Sequence, residues 1–151
     1  KIKEMKKTKH GRTNTLRTHL EYGKWIGSMK WDLYVVLRNE SGISKNQVHK
    51  ISERIFQQLG DKVEKMVYIG EKDNGNWKNY HINILIRTDH VVDVIDTIKK
   101  INKCRTLYIE KVKSNQSVGY YVTKFIPSPG FHYNRDIEWN ILYNRTVKEI
   151  V

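Results

Sequence analysis

Tyr121 stands in the run Val118-Gly119-Tyr120-Tyr121-Val122-Thr123-Lys124, and about forty residues before it comes Tyr80-His81-Ile82-Asn83-Ile84-Leu85-Ile86. A phenol can attack a phosphodiester and hold the broken strand covalently, provided that a cation neutralises the charge gathering on the phosphate. The first run offers the phenol, with Lys124 one helical turn further on. Since a phenol ordinarily ionises near pH 10, attack at neutral pH needs a base or a strongly activated phosphate.

The second run offers a place for the cation. Side chains alternate along a strand, so Tyr80, Ile82, Ile84 and Ile86 share one face while His81, Asn83, Leu85 and Arg87 share the other. The isoleucine face belongs against helices. His81 and Asn83 then have Cα atoms about 6.7 Å apart, near enough for an imidazole nitrogen and an amide oxygen to converge on one ion. Glu71, at the end of the neighbouring strand, adds a carboxylate. This mixed nitrogen and oxygen set suits Mg²⁺ or Mn²⁺ better than zinc. A histidine and an asparagine also alternate on half-exposed strands that bind no metal.

On a helical wheel Val118, Val122 and Phe125 form the buried stripe, with Ile126 at one margin and Tyr121 at the other. Tyr120 projects further round, toward solvent. Tyr121 is therefore the phenol expected to face the sheet, although a tyrosine at such a margin also serves ordinary amphipathic packing.

The elements that must position these residues follow from periodicity and punctuation. Residues 1–12 read as a basic flexible arm and 13–151 as one domain. Thr13–Leu20 is a candidate edge strand, and Trp31–Arg38 a buried one. Ser44 with Gln47 is a capping box, Val48, Ile51, Ile55 and Leu59 make the helical stripe, and Gly60 ends it. Val63–Gly70 and Asn79–Arg87 form a hairpin. Asp89 is the expected cap of a second helix carrying Val91, Val94, Ile95, Ile98 and Ile101. Arg105–Val112 is a fourth strand, Asn115–Ile126 a helix ending before Pro127, and the aromatic tail Phe131–Val151 packs back on the domain. The order is an α+β, ferredoxin-like or RRM-like split β-α-β-β-α-β with a central antiparallel sheet, its first two helices on one face and the tyrosine on an appended helix.

With 28 lysines and arginines against 16 acidic residues, the net charge of +12 favours a polyanionic partner. One cysteine excludes an internal disulfide and a multi-cysteine zinc site. Neither a membrane-length apolar stretch nor an apolar segment behind the basic N-terminus is present, so a cytoplasmic protein is expected.

Taken together, the two runs resemble motifs two and three of the HUH endonucleases, in particular the rolling-circle replication initiators called Rep. The family's tyrosine motif is hydrophobic, two free positions, tyrosine, hydrophobic, any residue, lysine, and Val118, Tyr121, Val122 and Lys124 fill each fixed place. Its metal motif is histidine, hydrophobic, histidine, then hydrophobics, and His81–Ile86 matches except at Asn83. Trp31–Leu37 stands where the apolar first motif would be, and Glu71 where an acidic ligand is often found. The likeness covers about residues 31–126.

The resemblance implies sequence-specific nicking and joining of single-stranded DNA, initiating rolling-circle replication of a plasmid or virus. Tyr121 would form a 5′-phosphotyrosine link, Lys124 would orient it or neutralise charge, and Glu71, His81 and Asn83 would hold Mg²⁺ or Mn²⁺. Lys78 and Arg87, near the metal strand, are candidate contacts to the DNA backbone. The partners would be a single-stranded origin or hairpin, with a separate helicase and polymerase. Two rival expectations stand beside this: a non-catalytic single-stranded nucleic-acid-binding module of RRM-like fold, and a single-tyrosine HUH transposase.

Overall fold

The computed structural model describes residues 21–72, 80–102, 106–123 and 137–144. The basic arm, the expected strand Thr13–Leu20, the hairpin loop with Lys78, Cys104, Lys124 and the rest of the helix to Ile126, and the tail except 137–144 lie outside the described residues. The described elements run α1 (21–28), β1 (Leu33–Arg38), α2 (Lys45–Leu59), β2 (Lys65–Lys72), β3 (Tyr80–Arg87), α3 (Val91–Ile101), β4 (Thr106–Lys111), α4 (Asn115–Val122) and β5 (Ile137–Tyr143).

Local chemistry accounts for most of these boundaries. Ser44 Oγ accepts from the Gln47 amide at 3.3 Å while Gln47 Oε1 accepts from the Ser44 amide at 2.8 Å, so the capping box forms as its spacing predicts. Gly60 closes the same helix at φ +55°, in the left-handed region that glycine enters without a Cβ penalty. The expected cap of α3 needs correction: the N-cap residue is His90, with no side-chain cap, and not Asp89. Thr88 controls that entry, its Oγ1 accepting from the His90 amide at 2.9 Å while donating to the Lys62 carbonyl.

The five strands form one antiparallel sheet in the order β4-β1-β3-β2-β5, an α+β arrangement compatible with the ferredoxin-like class. On one face the alternating side chains Leu33, Val35, Leu37, Met66, Tyr68, Tyr80, Ile82, Ile84 and Ile86 meet Val48, Ile55 and Leu59 of α2 and Val94 and Ile98 of α3. That is the isoleucine face and the helix pair expected of it. Burial of each such aliphatic side chain contributes about 1.5–3 kcal/mol.

The opposite face is covered too, by α4, whose apolar stripe is expected to meet the sheet, and by α1, which the sequence does not reveal. Tyr34, Val67, Ile69 and Leu85 pack beneath Ile26 of α1, Trp31 and Val122 of α4, with Val118 and Trp139 at the margin. Trp31 Nε1 donates to the Ile26 carbonyl at 2.6 Å, and the Trp31 amide donates to Asn115 Oδ1, tying the end of α1 to the start of α4. The two helices touch backbone to backbone. A Cβ placed on Gly119 would lie 2.5 Å from the Gly23 carbonyl oxygen and 2.7 Å from the Gly27 nitrogen, so only glycine permits this approach.

Candidate active site

The register of the sheet brings the expected ion ligands together. Glu71 on β2 pairs directly with His81 on β3, and both point to the face under α1 and α4. Glu71 Oε2 and His81 Nε2 are 2.9 Å apart, with the carboxylate side chain 2% and the imidazole 13% exposed. Asn83, two residues on and 3% exposed, accepts at Oδ1 from the Tyr34 hydroxyl at 2.9 Å. Its Nδ2 is buried and has no hydrogen-bond partner among the described residues.

A buried amide end without a partner carries a desolvation cost of about 1–3 kcal/mol. An NH₂ group only donates and ligates no cation, so an ion here would take Asn83 through Oδ1. Carboxylate, imidazole and amide on one pair of strands are a donor set that fits a hard divalent ion. Among the described residues there is no group of three or more histidine, cysteine or acidic side chains, so an asparagine is needed to make up the third donor.

Tyr121 reaches Tyr34. Its ring stands edge-on to Tyr34 at 6.2 Å between centroids and 81° between planes, which links the α4 tyrosine to Asn83 through one intervening side chain. Burial raises the Tyr34 pKa well above the usual phenol value, and the nearby Tyr121, Glu71, Glu110 and Tyr108 raise it further in that order. Tyr34 therefore stays a neutral hydrogen-bond donor through the physiological range. Tyr121 is 54% exposed, so its ring is open to a partner.

The wheel reading of Tyr120 needs correction. Rather than projecting into solvent, its ring packs over Gly23, where an added Cβ would meet it at 2.0 Å. The cause is α1, a helix the sequence reading did not find, lying against that side of α4. Of the two tyrosines, Tyr121 is the exposed one.

Arg87 shares the face of β3 with His81 but sits at the far end of the strand. Its Nε donates to Glu64 Oε2 at 2.9 Å and its Nη1 to the Met29 carbonyl at 3.1 Å, so the guanidinium binds the end of α1 to the sheet. Lys78 and Lys124 lie outside the described residues.

No family model, curated protein or solved structure matches the chain. The geometry has to speak for the chemistry. Besides the expected residues it adds Tyr34 and Tyr108, whose rings are 6.3 Å apart on the same face, with Tyr108 half-exposed. Tyr108 donates to Glu110 Oε2 at 2.5 Å, and that bond raises its pKa. The alternation of 31–38 put Tyr34 on a strand, but only the pairing of β1 with β3 and β4 brings it to Asn83 and Tyr108.

A second polar cluster occupies the helix face. His49 Nδ1 lies 2.5 Å from the buried Tyr68 hydroxyl, and its Nε2 lies 2.9 Å from Glu138 Oε2 on β5. The sequence assigns His49 only to helix surface, because the tail expected to pack back on the domain shows no strand that would bring Glu138 to it.

Proposed function

We propose that this chain nicks and rejoins single-stranded DNA through Tyr121, as a replication initiator of the HUH type. The observation that carries the reading is the contact chain Tyr121–Tyr34–Asn83 beside the Glu71–His81 pair. It puts an exposed tyrosine one ring contact away from a side chain that bonds Asn83, which supports a phenol and an ion site acting on one phosphodiester.

In this reading the Tyr121 oxygen attacks the scissile phosphorus from α4 while the 3′ oxygen leaves, so one P–O bond replaces another. The phenol loses its proton to solvent and the leaving oxygen gains one as a free 3′-hydroxyl. Glu71, His81 and Asn83 would hold Mg²⁺ or Mn²⁺, which when bound supplies polarisation of the phosphate. Lys124, three residues beyond Tyr121 in sequence, would orient the tyrosine or help neutralise charge. Because the bond energy is kept in the phosphotyrosine, attack by a 3′-hydroxyl reverses the step and joins the strand.

Within the same proposal, β1 to β4 with α2 and α3 form the split β-α-β-β-α-β unit. The helix α4 is then its tyrosine-bearing appendage, and α1 and β5 are additions around it. The net charge of +12 supports a single-stranded DNA origin or hairpin as partner, working with a separate helicase and polymerase in the cytoplasm. Among the described residues no helix is long and apolar enough to cross a membrane.

The half-exposed rings of Tyr108 and Tyr121 on one sheet face favour a second reading, a non-catalytic module that stacks unpaired bases. One experiment separates the two. Labelled single-stranded oligonucleotides of randomised sequence are incubated with Mn²⁺ and resolved on a denaturing gel, using wild type, Tyr121→Phe and Tyr120→Phe. Nicking predicts a covalent adduct lost only in Tyr121→Phe. Retention by native gel with no adduct from any sequence supports the binding module instead.

A further inference from the structure

Tyr34 lies in the Trp31–Leu37 stretch that stands in place of the apolar first motif, and neither the metal motif nor the tyrosine motif contains it. On β1 it pairs with Leu85 of β3, which leaves Asn83 as its diagonal neighbour on the same face, a separation that a tyrosine side chain spans. The ring is buried, the hydroxyl meets the Asn83 amide at 2.9 Å, and the ring edge faces Tyr121. The amide at that place departs from the imidazole that the resemblance leads one to expect. An amide, like an imidazole, turns about its side-chain bonds, and a group that ligates an ion is ordinarily held in one orientation by a second hydrogen bond.

We infer that Tyr34 is a positioning residue that fixes the plane of the Asn83 amide and so lets asparagine serve as an ion donor. The inference rests on the ion pocket of the proposed function, and it names the feature that compensates for the missing histidine. The hydroxyl donates to Oδ1, whose second lone pair stays available to the ion, and it would equally accept from Nδ2 if the amide were turned over; the NH₂ end itself ligates no cation. Asn83 has no other side-chain hydrogen-bond partner among the described residues, so the hydroxyl is what restrains it.

The test titrates Mn²⁺ into the full chain by calorimetry for wild type, Tyr34→Phe, Asn83→Ala and the double variant, with thermal melts alongside to show that each is folded. Tyr34→Phe keeps the ring against Tyr121 and removes only the hydroxyl. It is expected to weaken Mn²⁺ binding about tenfold, the usual effect of losing a partner that orients a ligand. The double variant should bind no more weakly than Asn83→Ala alone, because the hydroxyl acts only through the amide.

Adduct formation supplies a second readout: Tyr34→Phe should raise the Mn²⁺ concentration giving half-maximal rate by the same factor and leave the maximal rate within about twofold. Wild-type affinity in Tyr34→Phe, or single effects that multiply in the double variant, overturns the inference, as does a wild-type chain that binds no Mn²⁺. A chain that binds Mn²⁺ and shows the coupling but forms no adduct upholds the role of Tyr34 and sinks the nicking reading alone.

Discussion

At the scale of single residues, two buried tyrosines have taken different tasks. Tyr34 faces the candidate site, whereas Tyr68 sits on the helix face with its hydroxyl against His49. Burial is the main cause that pushes the Tyr68 pKa up to about 12, with nearby Glu53 adding to it and a hydrogen bond from Asn140 opposing it. The unfolded chain releases this proton near the ordinary value of 10.0, so stability is full below that pH and falls as pH rises toward 12. Urea denaturation at pH 8, 10, 11 and 12 should show the decline, and Tyr68→Phe should flatten it. At neutral pH the same substitution loses the hydroxyl's bonds to His49 and Asn140 and is expected to cost about 1–3 kcal/mol. Sequence made Tyr121, His81 and Asn83 visible because their spacing matches strand and helix periods. It could not reveal Tyr34 or Glu138 as partners, since both depend on which strands become neighbours.

At the scale of elements, the capping box and the glycine contact make opposite demands on the same kind of change. Ser44→Ala removes the acceptor for the Gln47 amide and should lower stability by about 1 kcal/mol, measured as a shift in the urea midpoint with an unchanged slope. Gly119→Ala would add helix propensity in isolation, but the new Cβ meets backbone atoms of Gly23 and Gly27 that cannot rotate away. We expect a net loss of about 1–3 kcal/mol from the forced separation of α1 and α4. Adduct formation should fall as well, because Tyr121 rides on α4. An adduct yield unchanged in Gly119→Ala would show that the helix contact does not position the tyrosine. α2, α3 and β1–β4 were legible to within a few residues, since apolar periods and turn residues mark them. α1 and β5 were not: basic and aromatic residues interrupt the stripe in 21–28, and 137–143 alternates too weakly to separate an edge strand from a tail.

Considered whole, the chain carries 28 lysines and arginines against 16 acidic residues. The net charge of +12 predicts that affinity for a single-stranded oligonucleotide falls with salt, the logarithm of the binding constant dropping by about 0.7 per phosphate contacted for each decade of salt. Fluorescence polarisation across a potassium chloride series measures that slope, and a flat response would exclude a polyanionic partner. Mn²⁺ should also raise the melting temperature of wild type more than that of His81→Ala, since an ion bound only by the folded chain stabilises it by mass action. Full cover of the second sheet face was not legible at this scale, because it depends on α1 as well as α4.

The pairing of β5 with β2 joins segments about seventy residues apart in sequence, the kind of contact that forms slowly because a long loop must first be closed. Ile137 lies opposite Glu71, so the carboxylate gains its outer neighbour only when that strand docks. Refolding should thus form most of the sheet before Glu71 is enclosed, and under the proposed reading Mn²⁺ uptake, followed after a jump out of urea, should lag the recovery of secondary structure.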